Sequence, residues 1–223
     1  MAIRKLNKKG LFLTFISIAI VAAMIAIFAP PNISIEKDLS AVKARVENVN
    51  DYVFDLENVY LENTLNAIGR RAIIALIDYM GTEGLFLTNF HDDFSEVLLY
   101  GTISGTPIDD FIDPDIMTGN TYNDKLDEIK DKASTAFNVD TVFNPITSNN
   151  IRVQQLNPWF VNVEMNVSFT VTTVEGTATW TRDATIITDI AVERLRDPYY
   201  LAKTNGAYEN IINRTGTKFD EWN

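Results

Sequence analysis

WFVNVEMNVSFTV, residues Trp159 to Val171, decides the fold. Its odd positions, Trp159, Val161, Val163, Met165, Val167, Phe169 and Val171, are all apolar. Its even positions from Asn162 onward are Asn162, Glu164, Asn166, Ser168 and Thr170, continued by Thr172. Successive side chains of a strand point to opposite faces, so this alternation predicts a long half-buried strand with one wet face. Glu175-Gly176 predicts a turn, and residues 177–193 a second strand in which Trp180, Ala184, Ile186, Ile190 and Val192 share a face. Ile151 to Leu156 predicts a third strand. Strands this close in sequence form an antiparallel meander, which tolerates a solvated face as a parallel sheet does not.

Upstream of the meander the pattern changes. Residues 122–137, YNDKLDEIKDKASTAF, read as an amphipathic helix. TPIDDFIDPDIMTGN, residues 106–120, reads as an acidic loop, and residues 85–104 alternate loosely enough to predict a strand over SEVLLYGTIS. Further upstream, Leu39, Val42, Val46, Val49, Val53, Leu56 and Tyr60 are spaced 3, 4, 3, 4, 3 and 4 apart. That spacing is a heptad stripe on one side of a helix. The register then shifts, and Leu61, Leu65, Ile68, Ala72, Leu76 and Tyr79 continue on a neighbouring face. Ser34 is the expected N-cap, with Glu36 and Asp38 in the first turn, where the helix dipole favours anions. Gly81 is the expected terminator, so the predicted helix occupies 35–81 and is roughly 70 Å long. Its second half is expected to pack on the domain's own sheet. The stripe from Leu39 to Leu56 is expected to serve self-association or a partner helix, with Asn50 and Asn63 near the seam as register markers. Arg70-Arg71 is read as half of an internal ion pair.

The N-terminus carries the topology. Residues Leu11 to Ala29, LFLTFISIAIVAAMIAIFA, hold no charge, and as a helix they reach about 28 Å, close to the ~30 Å hydrocarbon core of a bilayer. Arg4, Lys5, Lys8 and Lys9 precede the run, and the positive-inside rule then keeps the N-terminus cytoplasmic. Pro30-Pro31 directly after Ala29 disfavours signal-peptide cleavage there, so a retained single-pass anchor is expected. The organisation reads as a basic cytoplasmic segment 1–10, a transmembrane helix 11–29, a linker 30–34, the long helix 35–81, and an extracellular α+β domain 82–223 that packs with the helix's second half.

Composition excludes several functions. The chain of 223 residues has no cysteine, which removes disulfides, thiolate metal sites and a catalytic thiol. Its single histidine, His91, removes any site needing two imidazoles. The net charge is −11, and no acidic residue precedes Glu36. Everything after the anchor is therefore strongly acidic, which opposes binding to nucleic acid or to anionic lipid headgroups and suits an outward-facing domain.

Candidate chemistry is thin. His91-Asp92-Asp93 places three titratable groups in a row, but adjacent side chains diverge in any regular element. Asp109, Asp110, Asp113 and Asp115 offer closely spaced oxygens that could take calcium, without the order of an EF-hand. Asp183 and Asp189 fall on the wet face of the second strand. No nucleophile elbow, zinc-binding HExxH helix or phosphate loop is present, so no cofactor and no enzymatic activity is expected. Asn32, Asn166 and Asn213 each begin an N-x-S/T sequon on the predicted outer side.

Lys8-Lys9-Gly10 followed by the apolar run resembles the leader of type IV pilin-like proteins. So do Ile68-Gly69-Arg70-Arg71-Ala72, Pro158-Trp159 at a strand start, and the Asp197-Pro198-Tyr199-Tyr200 turn before an asparagine-rich tail, which are similar to archaeal membrane-anchored, pilin-like surface proteins. The resemblance implies a long N-terminal helix on an antiparallel meander, and processing after Gly10 by a dedicated peptidase. Phe15 stands at the fifth position after Gly10, where bacterial pilins carry glutamate. The leading expectation is a pilin-like, membrane-anchored extracellular protein acting by assembly or adhesion. A monomeric anchored ligand-binding or sensor ectodomain is the alternative, and an anchored extracellular hydrolase comes third.

Overall fold

The computed structural model describes residues 33–112 and 115–213. The anchor candidate Leu11–Ala29, the processing candidate Gly10 and the sequon at Asn32 lie outside the described residues. Among the described residues no helix is long and apolar enough to cross a membrane. The chain divides into two compact units, Met1–Val46 and Glu47–Asn223. In the first, the described part is the start of helix α1 (Ile33–Asp55), whose side chains from Ser40 to Arg45 are exposed and whose Val46 is half-buried.

The second unit is α+β. The alternating stretch, from Phe160 on, forms β5 (Phe160–Thr173), with the side chains of Val161, Val163, Met165, Val167, Phe169 and Val171 at most 7% exposed. β6 (Thr179–Ala191) and β4 (Ile151–Asn157) flank it as antiparallel neighbours, so the expected meander is present. A further strand, β3 (Val139–Phe143), pairs with the far end of β5 from Phe169 to Thr173. β6 pairs along β5 from Phe160 to Thr172, which leaves β3 and β4 end to end on the opposite edge. A two-residue ladder of β1 (Thr102–Ile103) and β2 (Thr106–Pro107) stands apart.

Backbone direction in this sheet follows from a few bonds. The Thr173 N–H donates to the Ala178 carbonyl at 3.0 Å, and the Val192 N–H to the Trp159 carbonyl at 3.0 Å. Odd residues of β5 therefore face β6. The Asn144 N–H donates to the Ser168 carbonyl, and the Val174 N–H to the Asn138 carbonyl, so even residues of β5 face β3 and β4. In an antiparallel ladder hydrogen-bonded and non-hydrogen-bonded pairs alternate. By the observed register, even residues of β6 then bond to β5, and odd residues of β6 direct their N–H and C=O groups outward.

A long helical run covers the apolar face. α1 passes through a π-helical segment, Leu56–Tyr60, into α2 (Leu61–Glu83). The π segment sits where the sequence changes register. It closes with the Leu61 N–H donating to the Leu56 carbonyl, which brings Leu61 back beneath Leu56, and both are fully buried. Gly69 lies against β6: a Cβ there would stand 2.4 Å from Ile190 Cδ1, so glycine permits the close approach. One turn of α2 also fastens the sheet edge. The Asn66 amide donates to the Asp189 carbonyl at 3.2 Å, and the Arg70 guanidinium to the Ala191 carbonyl at 2.8 Å. Residues four apart on a helix thereby match outward carbonyls two apart on a strand. The ion pair expected of Arg70-Arg71 is instead this carbonyl bond from Arg70, with Arg71 exposed.

Four boundaries differ from expectation. Ser34 lies inside α1 instead of capping it, since a cap preference of about 1 kcal/mol does not by itself fix a helix end. α2 runs past Gly81, which is buried against Leu201, and ends at Gly84 with φ 65°, the left-handed conformation that favours glycine. The strand expected over residues 95–104 is mostly helix α3 (Phe90–Tyr100). Asn89 caps it, Asp92 and Asp93 occupy its first turn, and Phe94, Val97 and Leu98 fall at helical spacing on the buried side. The Asp-Pro-Tyr-Tyr turn is the start of helix α5 (Pro198–Thr204), where the Asp197 carboxylate accepts the Tyr199 N–H at 2.9 Å and Pro198 takes the first helical position. The helix expected at 122–137 is α4 (Tyr122–Phe137), opened by a reciprocal Thr121–Asp124 capping box.

Candidate functional site

The acidic loop is organised around Asp109. Its carboxylate accepts the N–H groups of Ile116 at 2.9 Å, Met117 at 3.0 Å and Thr118 at 2.6 Å, and the Thr118 hydroxyl at 2.8 Å. Burial opposes its ionisation, but these four donors outweigh burial and hold its pKa below the usual carboxylate value. The Asp109 oxygens are thus directed at the loop's own donors. Asp110 and Asp115 are exposed, and Asp113 lies outside the described residues. Among the described residues no group of three or more His, Asp or Glu could hold a metal ion.

His91 joins two elements. Its Nδ1 lies 3.0 Å from Asp92 Oδ1, and its Nε2 lies 2.9 Å from the Ile151 carbonyl. Both neighbours are acceptors, so the doubly protonated ring satisfies both. The Asp92 hydrogen bond and then the Ile151 carbonyl raise its pKa above the ordinary value, with burial opposing. The ring fastens α3 to the first residue of β4. On the wet face of β6, the Asp189 carboxylate accepts the Asn162 amide at 2.8 Å, and Asp183 is exposed six positions away, a separation of about 20 Å along a strand.

Two of the sequon asparagines are described. Asn166 is exposed on the wet face of β5, where its Oδ1 accepts the Thr185 hydroxyl at 2.8 Å, and Asn213 is exposed beyond α5.

The heptad stripe is divided. Val49 and Val53 are 1% exposed and Leu56 is fully buried, all three in the core of the second unit. Val42 on the same stripe is 45% exposed, and Leu39 belongs to the same helix. Asn50 and Asn63 are both exposed, off the buried stripe.

Sequence reading missed an apolar groove. It has a volume of about 430 Å³ and runs between one side of α2, the segment before α3, and β4. Ile73, Leu76 and Met80 form one wall, Phe86 and Phe90 the rim, and Gln154 and Gln155 supply amides. Among the described residues no charged side chain lines it. Beside it Phe86, Tyr199, Tyr200 and Tyr208 form a chain of ring contacts with centroids 5.7–6.2 Å apart, and the Lys203 ammonium stands 5.6 Å from the Phe86 ring centre. All four rings are exposed. Tyrosine is enriched at interfaces because its ring is apolar and its hydroxyl polar. The residues come from five separate segments, and the only local signal was the Tyr199-Tyr200 pair, read as part of a turn.

No protein-family model, no curated protein and no solved structure matches the chain.

Proposed function

We propose that this chain is a pilin-like, membrane-anchored extracellular protein that acts by assembly or adhesion. In this reading residues 11–29 hold it in the bilayer, the N-terminus stays cytoplasmic, and the acidic domain is displayed outside, with processing after Gly10 and glycans on Asn32, Asn166 and Asn213 as accessory features. The observation that carries the reading is the divided stripe. Its downstream residues Val49, Val53 and Leu56 are used within the domain, while Val42 on the same side of the same helix is 45% exposed. An apolar seam that outlasts its own domain calls for another apolar surface, and a second copy's helix supplies one. The domain is the outward load carried by that helix.

The test is cysteine crosslinking of the full chain in membranes, since no native cysteine competes. Val42→Cys is expected to give a covalent dimer on mild oxidation, and Ala44→Cys, exposed on another side of α1, to give far less. Equal yields from the two positions, or monomer from both, would count against assembly through the stripe. A second reading, an anchored ligand-binding or sensor ectodomain, is favoured by the uncharged groove, whose volume of about 430 Å³ falls in the range of small-ligand sites. A chain that stays monomeric in the crosslinking assay moves the weight to that reading.

A further inference from the structure

The outer edge of β6 has no strand neighbour among the described residues. Odd residues of β6 turn their backbone groups away from β5, as the hairpin bonds establish. At one end these groups are occupied: the Asp189 carbonyl by Asn66 and the Ala191 carbonyl by Arg70. At the other end the Thr181 carbonyl accepts the Arg182 guanidinium at 3.3 Å. Between them, Asp183, Thr185 and Ile187 present N–H and C=O groups for which β6 has no strand neighbour among the described residues. Their side chains are exposed on the wet face, Ile187 at 53%. An open run of this kind is a template for another strand.

We propose that this edge pairs with the same edge of a second copy, antiparallel, about a two-fold axis through Thr185. That register sets Thr185 opposite its own counterpart and Asp183 opposite the second copy's Ile187. The three open residues of each copy then satisfy one another completely, while Asn66 and Arg70 stop the ladder beyond Ile187. A two-fold on Ala184 would set Ile187 opposite Thr181, whose carbonyl is already occupied, and charge excludes the register on the other side. A two-fold centred one residue later, on Ile186, would set Asp183 opposite Asp189, and like charges directly opposite are destabilising. Centred on Thr185, Asp183 faces Ile187, Asp189 faces Thr181 and Arg182 faces Thr188. The two Asp183 carboxylates are then about 13 Å apart along the strands, beyond the ~8 Å screening length at physiological salt. The joined sheet doubles in width and sets each Ile187 beside Asp183 of the other copy.

The edge is separate from the α1 stripe, and each is read on its own residue. In the full chain, Thr185→Cys brings two cysteines to a hydrogen-bonded pair across the axis, with Cα atoms about 5.5 Å apart, inside the range a disulfide spans. Thr181→Cys, on the same wet face, places them about 26 Å apart. Oxidation is expected to produce covalent dimer at least tenfold faster from Thr185→Cys than from Thr181→Cys. Adding Ile187→Asp, which faces Asp183 of the other copy, is expected to slow crosslinking at Thr185, and Ile187→Lys is expected not to. Both changes are at an exposed position, and thermal melts confirm the fold of each variant. Equal rates at positions 185 and 181, no dimer at 185, or equal effects of the aspartate and the lysine would overturn the pairing, whatever Val42→Cys reports about the stripe.

Discussion

At the scale of single residues, the groups that looked most chemical are fasteners. Asp109 is the anion its loop requires, and His91 is an imidazole held between a carboxylate and a carbonyl. Sequence alone could rank them as weak candidates, because adjacent titratable groups diverge, but it could not supply Ile151, 60 positions away, as the partner of Nε2. The histidine makes a pH prediction with a definite sign. Its folded pKa is raised above the ordinary value, first by the Asp92 hydrogen bond and then by the Ile151 carbonyl, so protonation favours the folded state. That contribution is fully present below the unfolded pKa of about 6.5 and is lost as pH rises through the folded value. His91→Ala is therefore expected to lower the melting temperature more at pH 6 than at pH 8. Melts of both chains at the two pH values check this, and an equal loss at both would mean the ring acts by packing alone.

At the scale of elements, the π segment is the feature most legible in the sequence and most easily misread. Leu56 and Leu61 are five positions apart, which on a regular α-helix would turn them about 140° away from each other. The extra residue in the π turn restores a common side, and both leucines are buried. Removing one exposed residue there, Val59, shortens the interval to four, the ordinary α spacing. Deletion of Val59 is accordingly expected to leave a cooperative melt, with a loss of no more than about 1–2 kcal/mol from the exchanged turn. Deletion of Ala67, also exposed but within regular α2, rotates Ile68, Ala72 and Leu76 by about 100° away from the sheet. At about 1.5–3 kcal/mol for each large side chain left in water, and with the Asn66 and Arg70 bonds to β6 displaced, that exceeds what a domain with about 5–15 kcal/mol in total can lose. Urea unfolding of the two deletions separates the outcomes, and the idea fails if both behave alike. The same logic explains which elements the sequence disclosed. β5, β6 and α4 announce themselves through unbroken periodicity and, for α4, a capping box. α3 was misread because SEVLLYGTIS mixes residues that alternate as well as they repeat, and Asn89, the cap that decides the matter, lies outside that window. β3 is five residues between a helix end and Asn144-Pro145, too short for a pattern of its own; it is a strand because β5 extends past β4 and needs a neighbour. The groove is the product of packing, so no window of sequence contains it.

At the scale of the whole molecule, two electrostatic effects oppose each other, and their sizes decide the response to salt. From Glu36 onward there are 30 acidic and 15 basic residues, an excess that repels itself in the compact state. Against it stand ion pairs: Glu128 with Lys125 at 2.9 Å and Lys132 at 2.6 Å, Asp127 with Lys130 at 2.9 Å, Glu57 with Arg182 at 3.6 Å, and Arg196 bridging Asp78 and Glu209. Most are solvent-exposed, and exposed pairs contribute about 0–1 kcal/mol each. Several share a residue or lie within one turn of α4, so their energies do not add fully. The acidic excess acts over the whole surface at low ionic strength, where the screening length is about 30 Å at 0.01 M and comparable with the size of the domain. At physiological salt that length falls to about 8 Å, which removes most of the long-range repulsion but leaves contacts at hydrogen-bond distance partly intact. Repulsion is thus screened more than attraction, and added salt should stabilise the fold. The melting temperature is expected to rise by a few degrees between about 0.01 M and 0.15 M sodium chloride, a change of roughly 1 kcal/mol for a chain of this size. Lys132→Glu should steepen the rise, since it adds to the excess and breaks a pair with Glu128 at once. A melting temperature that falls with salt would show that the ion pairs dominate, and the acidic surface would then be a web of local attractions instead of a repulsive shell facing outward.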